Sequence, residues 1–297
     1  MNKKNITIGI IGPTNSGKST LLNNIIGEKL AIVTHKSQTT RSAFKGIKII
    51  DDTQMIFIDT PGIFNAKTKF EKAMLENAYD ILNDVDLVFL LIDCKKSLDD
   101  FDENFLKNIK VLEEKTFLIL NKIDLIERDL LLAKVKNFTK LFDFKETFLI
   151  SAKSGDGVQD LLDKSSKLSN NEYWLYPENQ TADVPMARIA SEITREKIFL
   201  FLHEEIPYSS TVETEGWITN KSKSITIDQT IYVSKKNHVG IVLGKGGKMI
   251  KSIGIASRED IEKILNNKVN LKINVKYKKD WSTKKEHYED IGLNFNL

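Results

Sequence analysis

Nine residues near the amino terminus carry the most specific chemistry in the chain: Gly12, Pro13, Thr14, Asn15, Ser16, Gly17, Lys18, Ser19 and Thr20. The spacing Gly-x-x-x-x-Gly-Lys-Ser is that of a phosphate-binding loop. Gly12 and Gly17 permit backbone angles that a Cβ obstructs. Successive N–H groups can then converge on phosphate oxygens at the positive end of the following helix. Lys18 can reach the β- and γ-phosphates of a nucleoside triphosphate, and the Ser19 hydroxyl offers a ligand to Mg2+. Further along, Asp59, Thr60, Pro61 and Gly62 end an apolar run. Asp59 suits the metal side of such a site, held through water. The Gly62 N–H can bond a γ-phosphate oxygen and register its presence.

A third cluster selects the base. Asn121, Lys122 and Asp124 follow the apolar run 117–120. A carboxylate at Asp124 accepts from both N1–H and the exocyclic amine of guanine. Adenine has no such donor pair and would leave the carboxylate desolvated and unpaired. Asn121 can tie loops together and touch the base edge, and Lys122 can lie over the ring. After the run 148–150 come Ser151, Ala152 and Lys153. The Ala152 N–H is placed to donate to the guanine carbonyl oxygen, with Ser151 and Lys153 holding that loop. GTP and GDP are the ligands these residues imply.

The elements that must position these groups alternate. Apolar β-branched runs at 6–11, 55–58, 87–93, 117–120 and 148–150 read as buried strands. Helical periodicity covers 64–83, 99–112 and 130–141, and a strand pattern covers 43–50. That order is an α/β domain with a mostly parallel sheet and helices on both faces. Ligands of such sheets sit beyond the carboxyl ends of the strands, and every motif above lies there. Residues 1–168 form this domain, and the polar, patternless stretch 169–182 is a linker.

Residues 183–297 read differently. A helix is expected over 185–202 and period-two strands at 211–215 and 224–228, with an apolar and basic continuation at 231–242. Gly244, Lys245, Gly246 and Gly247 then open a helix carrying Lys248 and Lys251, and the last strand is 269–277. Gly-x-x-Gly before a helix is the backbone clamp of a KH domain, which takes single-stranded nucleic acid. From Lys235 to Lys279, twelve Lys/Arg residues stand against three acids, a surplus of nine and a possible polyanion footprint. Ile241, Val242, Ile253 and Ile255 read as core, with some of them available to line a groove under bases.

Composition sets the outer bounds. The 297 residues suffice for two domains, and 41% hydrophobic with 29% charged is ordinary for a soluble protein. One cysteine, Cys94, excludes an internal disulfide and fits a reducing cytoplasm as a packed thiol. The run 87–92 is far too short to span a bilayer, and the start of the chain passes into a strand with no signal-peptide pattern.

The order and spacing of the five motifs resemble the translation-factor class of P-loop GTPases. The stretches 35–41 and 59–63, together with 244–255, 257–262 and 276–281, closely resemble the Era family of ribosome-assembly GTPases. That resemblance spans nearly the whole chain. It implies that Thr40 is the switch threonine meeting Mg2+ and the γ-phosphate. It implies a terminal KH domain of the αββααβ type that takes the 3′ end of 16S rRNA. Action on the 30S subunit precursor, a cytoplasmic monomer and loose peripheral contact with the inner membrane follow by the same resemblance. Ile63 stands where some GTPases carry a glutamine, so slow hydrolysis by Lys18, Thr40 and Gly62 is expected, through positioning and charge neutralisation. Arg41 reads as a surface arginine of the switch loop rather than an internal finger. Asn15 occupies the position where some related GTPases hold K+. Two other classes compete: a constitutive RNA-binding protein with an inert nucleotide fold, and a GTPase that regulates a protein partner.

Overall fold

A computed structural model gives the fold and describes residues 3–34, 36, 44–62, 66, 68–101, 103–169, 171–285, 288 and 293. Thr40, Arg41 and Ile63 lie outside the described residues. The chain divides into two compact units. The first comprises Met1–Leu30, Thr40–Asp183 and Asn296–Leu297; the second comprises Ala31–Thr39 and Val184–Phe295.

In the first unit the elements run β1 (Lys4–Ile11), α1 (Lys18–Ile26), β2 (Phe44–Ile50), β3 (Thr53–Asp59), α2 (Lys69–Asp84), β4 (Leu87–Asp93), α3 (Glu103–Leu112), β5 (Thr116–Asn121), α4 (Arg128–Leu141), β6 (Glu146–Ile150) and α5 (Val158–Ser166). The sheet order is β2-β3-β1-β4-β5-β6. Only β2 runs antiparallel to its neighbour, β3; the remaining pairs are parallel. Every residue of β5 is buried, as are Leu87 to Ile92 of β4. Helices on both faces are why these strands read as unbroken apolar runs. Leu90, Ile92, Leu118 and Leu120 join Phe105, Ile109 and Phe138 of α3 and α4 in one core.

Two boundaries differ from the sequence expectation for physical reasons. Helix α2 starts at Lys69 because Thr68 and Glu71 form a reciprocal capping box, which fixes the first turn. The stretch read as a linker lies along the first unit. The amide of Gln54, 0% exposed, accepts from the N–H groups of Leu175 and Tyr176 (both 2.9 Å) and donates to the Tyr176 carbonyl (2.8 Å). Trp174 Nε1 donates to the Asp52 carbonyl (2.9 Å), and Asn5 pairs with Asn171 in a short antiparallel bridge.

The second unit runs α6 (Met186–Phe201), β7 (Ser210–Thr219), β8 (Ile225–Val233), α7 (Lys236–Leu243), α8 (Lys248–Leu265) and β9 (Val269–Tyr277). Strand β8 pairs antiparallel with β7 and parallel with β9. The helices cover one face, where Ile198, Ile231, Val233, Val242 and Ile253 form the core. Within this unit the Val33 N–H donates to Glu196 Oε1 (3.1 Å), and the Lys36 ammonium caps α6 on the carbonyls of Phe199 and Leu202. Glu196 also meets Lys197 Nζ (3.1 Å), which reaches Asp260 of α8 (2.5 Å). No helix among the described residues is long and apolar enough to cross a membrane.

Candidate functional site

The phosphate loop sits between β1 and α1, at the carboxyl end of the sheet. Its glycines are there for space as well as angle. A Cβ on Gly12 (φ +154°) would lie 2.1 Å from the Leu91 carbonyl oxygen, and one on Gly17 (φ +101°) 2.3 Å from Asn121 Nδ2. Asn15 is also left-handed, at φ 63°. Helix α1 begins at Lys18 directly after Gly17, which has no side chain to cap it, so the positive end of the helix faces the loop.

Lys18 is 6% exposed and donates to the carbonyls of Gly12 (3.0 Å) and Pro13 (2.9 Å). Burial pushes its pKa down to about 8, against an upward pull from the Asp59 charge. A buried ammonium lined by carbonyls is a site short of negative charge, and a polyphosphate supplies it. Gly62 closes over this lysine: a Cβ there would stand 3.0 Å from Lys18 Nζ and 3.2 Å from Thr14 Cα. The Ser19 hydroxyl donates to Asp59 Oδ2 at 2.9 Å, so the two expected metal-side groups are adjacent. Among the described residues no cluster of three or more His, Cys, Asp or Glu side chains could hold a metal ion. One carboxylate and one hydroxyl suit Mg2+, which completes its shell from phosphate oxygens and water.

At the base end, Asn121 performs the tie expected of it. Its Nδ2 donates to the Ser16 carbonyl (2.7 Å), and its Oδ1 accepts the Ala152 N–H (2.8 Å). The second bond corrects one expectation: the Ala152 N–H points at Asn121 instead of standing free for a guanine oxygen. Lys122 departs too. Its ammonium is held by the Asn15 carbonyl (2.6 Å) and Asp93 Oδ2 (2.7 Å), so only its methylene stem is left to cover a ring. Thr60 turns inward, fully buried, with its hydroxyl on the Ile10 carbonyl (2.8 Å), and so braces the strand end. Asp124 lies in a short turn, Ile123–Leu125, with its side chain exposed to solvent. Ser151 is buried and its carbonyl accepts the Gly155 N–H (2.8 Å), while Lys153 is exposed. Cys94 is buried as expected, with burial raising its pKa, and its thiol donates to the Lys122 carbonyl (3.0 Å). Sequence reasoning misses Asp93, because a single acid at a strand end carries no motif.

The second site is the turn between α7 and α8. Gly244 (φ +72°), Gly246 (φ +61°) and Gly247 (φ +73°) all take positive φ. A Cβ on Gly244 would strike Met249 Cβ at 2.6 Å, whereas Gly246 and Gly247 face open space. Backbone can therefore approach the last two closely. Lys245, Lys248 and Lys251 are exposed around this turn at the amino end of α8. Val242 and Ile253 are core, but Ile241 (48% exposed) and Ile255 (43%) are not, which corrects their reading as core. The basic surplus is distributed unevenly. Lys272, Lys276 and Lys278 lie on the outer face of the sheet beside Asp228 (3.7 Å), Glu215 (3.7 Å) and Glu213 (3.3 Å).

Residues 7–122 match a family model described as a 50S ribosome-binding GTPase, and residues 205–282 match the KH domain model. The chain is 42% identical over 288 residues to the GTPase Era of Sinorhizobium medicae, covering 97% of this chain and 93% of that one. It is 44% identical to the GTPase Era of Bradyrhizobium sp., over 97% and 94% of the two chains. Among solved structures it resembles Aquifex aeolicus Era bound to GDP·AlF4−, with TM-score 0.91, 32% identity and coverage of 97% and 99%. It also resembles Era in complex with MgGDPNP and nucleotides 1506–1542 of 16S ribosomal RNA, with TM-score 0.92, 32% identity and coverage of 98% and 99%. A P-loop GTPase unit followed by a KH unit, alike in sequence and fold to these proteins over nearly the whole length, makes this chain a member of the Era family of GTPases.

Proposed function

We propose that the chain is a GTP-driven switch that loads the single-stranded 3′ end of 16S rRNA onto its KH unit during assembly of the 30S subunit. The observation that carries this reading is the Asn121 side chain, which joins the phosphate loop to the base loop and so makes one guanine-nucleotide site of two motifs. In this reading Gly12 to Thr20 hold the phosphates, Lys18 neutralises the γ-phosphate and Asp124 reads the base. Lys153 and Ser151 keep the last loop in place. Ser19 and Thr40 would hold Mg2+ directly, and Asp59 would hold it through water. When bound, Mg2+ neutralises charge on the β- and γ-phosphates. The protein's own part in hydrolysis is to orient the phosphate chain and exclude water from Lys18, with Gly62 reporting whether the γ-phosphate is there. The working division is residues 1–168 for the nucleotide and 183–297 for RNA, joined by 169–182. The relative solved with MgGDPNP and the 16S fragment supports pairing these ligands.

A switch requires RNA affinity to differ between the GTP and GDP forms, since equal affinity shifts no population. The test is binding of a 16S 3′-terminal fragment to each form, together with phosphate release with and without that RNA. A difference of about tenfold or more and stimulated release are expected. Identical affinities would mean two merely tethered units, and would favour a constitutive RNA binder. Replacing Lys245 and Lys248 by alanine should weaken RNA binding in both forms. Asn15 is the proposed ligand for a K+ ion beside the phosphates; equal turnover in matched KCl and NaCl would remove that ion. The proposed setting is a cytoplasmic monomer with peripheral contact at the inner membrane through its basic surface.

A further inference from the structure

We propose that Asp93 is a positioning residue of the nucleotide site, holding Lys122 in place so that Lys122 can hold the phosphate loop. The proposal rests on the reading of that loop as a guanine-nucleotide site. Strands β4 and β5 pair in parallel with Asp93 opposite Asn121, so Asp93 reaches the loop edge one residue short of Lys122. Lys122 is left-handed (φ 68°), which turns its side chain back across the strand ends. Its ammonium then bridges Asp93 Oδ2 at 2.7 Å and the Asn15 carbonyl at 2.6 Å. The other carboxylate oxygen of Asp93 is fixed by the Lys95 N–H at 2.9 Å. Cys94 adds two bonds to the same corner, from its N–H to the Asn121 carbonyl (2.9 Å) and from its thiol to the Lys122 carbonyl (3.0 Å).

Three features make this more than a surface ion pair. The side chains of Lys122 and Asp93 are only 30% and 21% exposed, so water screens the pair incompletely. The Asn15 backbone is itself in the left-handed region, which asparagine tolerates better than most residues, and its carbonyl in that turn accepts from the Lys122 ammonium. Finally, both anchors of Lys122 are groups of the protein itself. The shape they give the phosphate loop does not depend on nucleotide, and pre-shaping strengthens binding by reducing what must be ordered. Removing Asp93 frees the ammonium, loosens Asn15 and weakens GDP and GTP by the same factor. It leaves the chemical step almost untouched, because an interaction made equally in ground and transition states moves KM and not kcat.

The experiment measures release of a fluorescent GDP analogue and steady-state GTP hydrolysis for the full chain. Wild type, Asp93→Ala, Asp93→Asn, Asp93→Glu, Lys122→Met and the Asp93→Ala/Lys122→Met double variant are compared. Asp93→Ala is expected to release GDP about tenfold faster, equivalent to about 1.4 kcal/mol. The KM for GTP should rise by a similar factor while kcat stays within about twofold. Asp93→Glu should recover most of the loss. Asp93→Asn, which keeps an acceptor for Lys95 and lacks the charge, should resemble the alanine variant and serves if alanine fails to fold. In the Lys122→Met background Asp93→Ala should add nothing. Wild-type release rates in a folded Asp93→Ala or Asp93→Asn protein, or effects that add in the double variant, would overturn the proposal. Wild-type protein that binds no guanine nucleotide would overturn the site reading itself and this proposal with it.

Discussion

Asp124→Asn is expected to weaken GTP binding about 10³-fold, the loss of two charge-assisted hydrogen bonds at ~2 kcal/mol each. Guanine presents N1–H and an amine to the carboxylate; an amide accepts one and opposes the other. Xanthine carries an oxygen in place of the amine, so it meets the amide of the variant side chain donor for acceptor and acceptor for donor. The base preference should therefore reverse to xanthine nucleotides. The side chain of Asp124 is solvent-exposed in the short turn after β5, so the substitution has little to disturb in the fold. Thermal unfolding of the nucleotide-free variant should match wild type within about 0.5 kcal/mol. Competition of XDP and GDP against a fluorescent guanine nucleotide decides the matter: an unchanged preference for GDP would mean that Asp124 does not read the base.

Lys18→Met should abolish nucleotide binding and at the same time raise the stability of the nucleotide-free protein. If Lys18 meets the γ-phosphate as proposed, its loss should lower affinity at least about 10²-fold. The stability side follows from the cost of keeping an ammonium where it is 6% exposed. Moving its pKa from 10.5 to about 8 corresponds to about 3 kcal/mol against the charged form. Methionine removes that cost but leaves the Gly12 and Pro13 carbonyls without this donor, which takes back about 1 kcal/mol for each. The net gain is therefore on the order of 1 kcal/mol.

The same residue gives stability a pH dependence of definite sign. Between pH 8 and 10.5 the unfolded chain still holds the Lys18 proton, while the folded nucleotide-free protein has released it. The unfolded state then binds more protons, so the wild-type stability contributed by this residue increases with pH across that window. Below pH 8 both states are protonated and the burial penalty stands in full. Unfolding curves of wild type and Lys18→Met, subtracted across the window, isolate this contribution. A flat difference would mean that the ammonium is not buried as described. Nucleotide binding at or just above the folded-state pKa should also take up a proton, since phosphate restores the charge.

Most of the nucleotide site is legible in the sequence because its residues are constrained locally. Gly12 and Gly17 leave no room for a Cβ, and a buried parallel strand reads as an apolar run whose carboxyl end is marked by the first polar residue. Features built from contacts distant in sequence are not legible where no motif marks the residues. Asp93 and Lys122 are neighbours only because β4 and β5 lie side by side. The stretch 171–182 has no periodicity, since it is held by main-chain groups on Gln54 and not by an apolar face. Helix α7 is hidden for the opposite reason: Val239, Ile241 and Val242 continue the β-branched run of β8, and the Ser234-Lys235 break is short. Ile241 and Ile255 are exposed, which leaves only the groove-lining half of their reading open, because an apolar helical residue looks the same in sequence whether it packs or faces solvent.

The row of ion pairs on the outer face of the β7-β8-β9 sheet changes what the basic composition of the second unit means. Of the twelve basic residues between Lys235 and Lys279, at least five already lie beside a carboxylate. A lysine that must leave an acid to meet a phosphate gains little, and it displaces no condensed cation for free. If only Lys245, Lys248 and Lys251 along the glycine turn engage the strand, about two cations are set free on binding, at roughly 0.7 per lysine, against about six for the whole surplus of nine. The unit then holds its strand largely through close main-chain approach at Gly246 and Gly247, and its grip persists at ionic strengths that strip proteins relying on bulk charge.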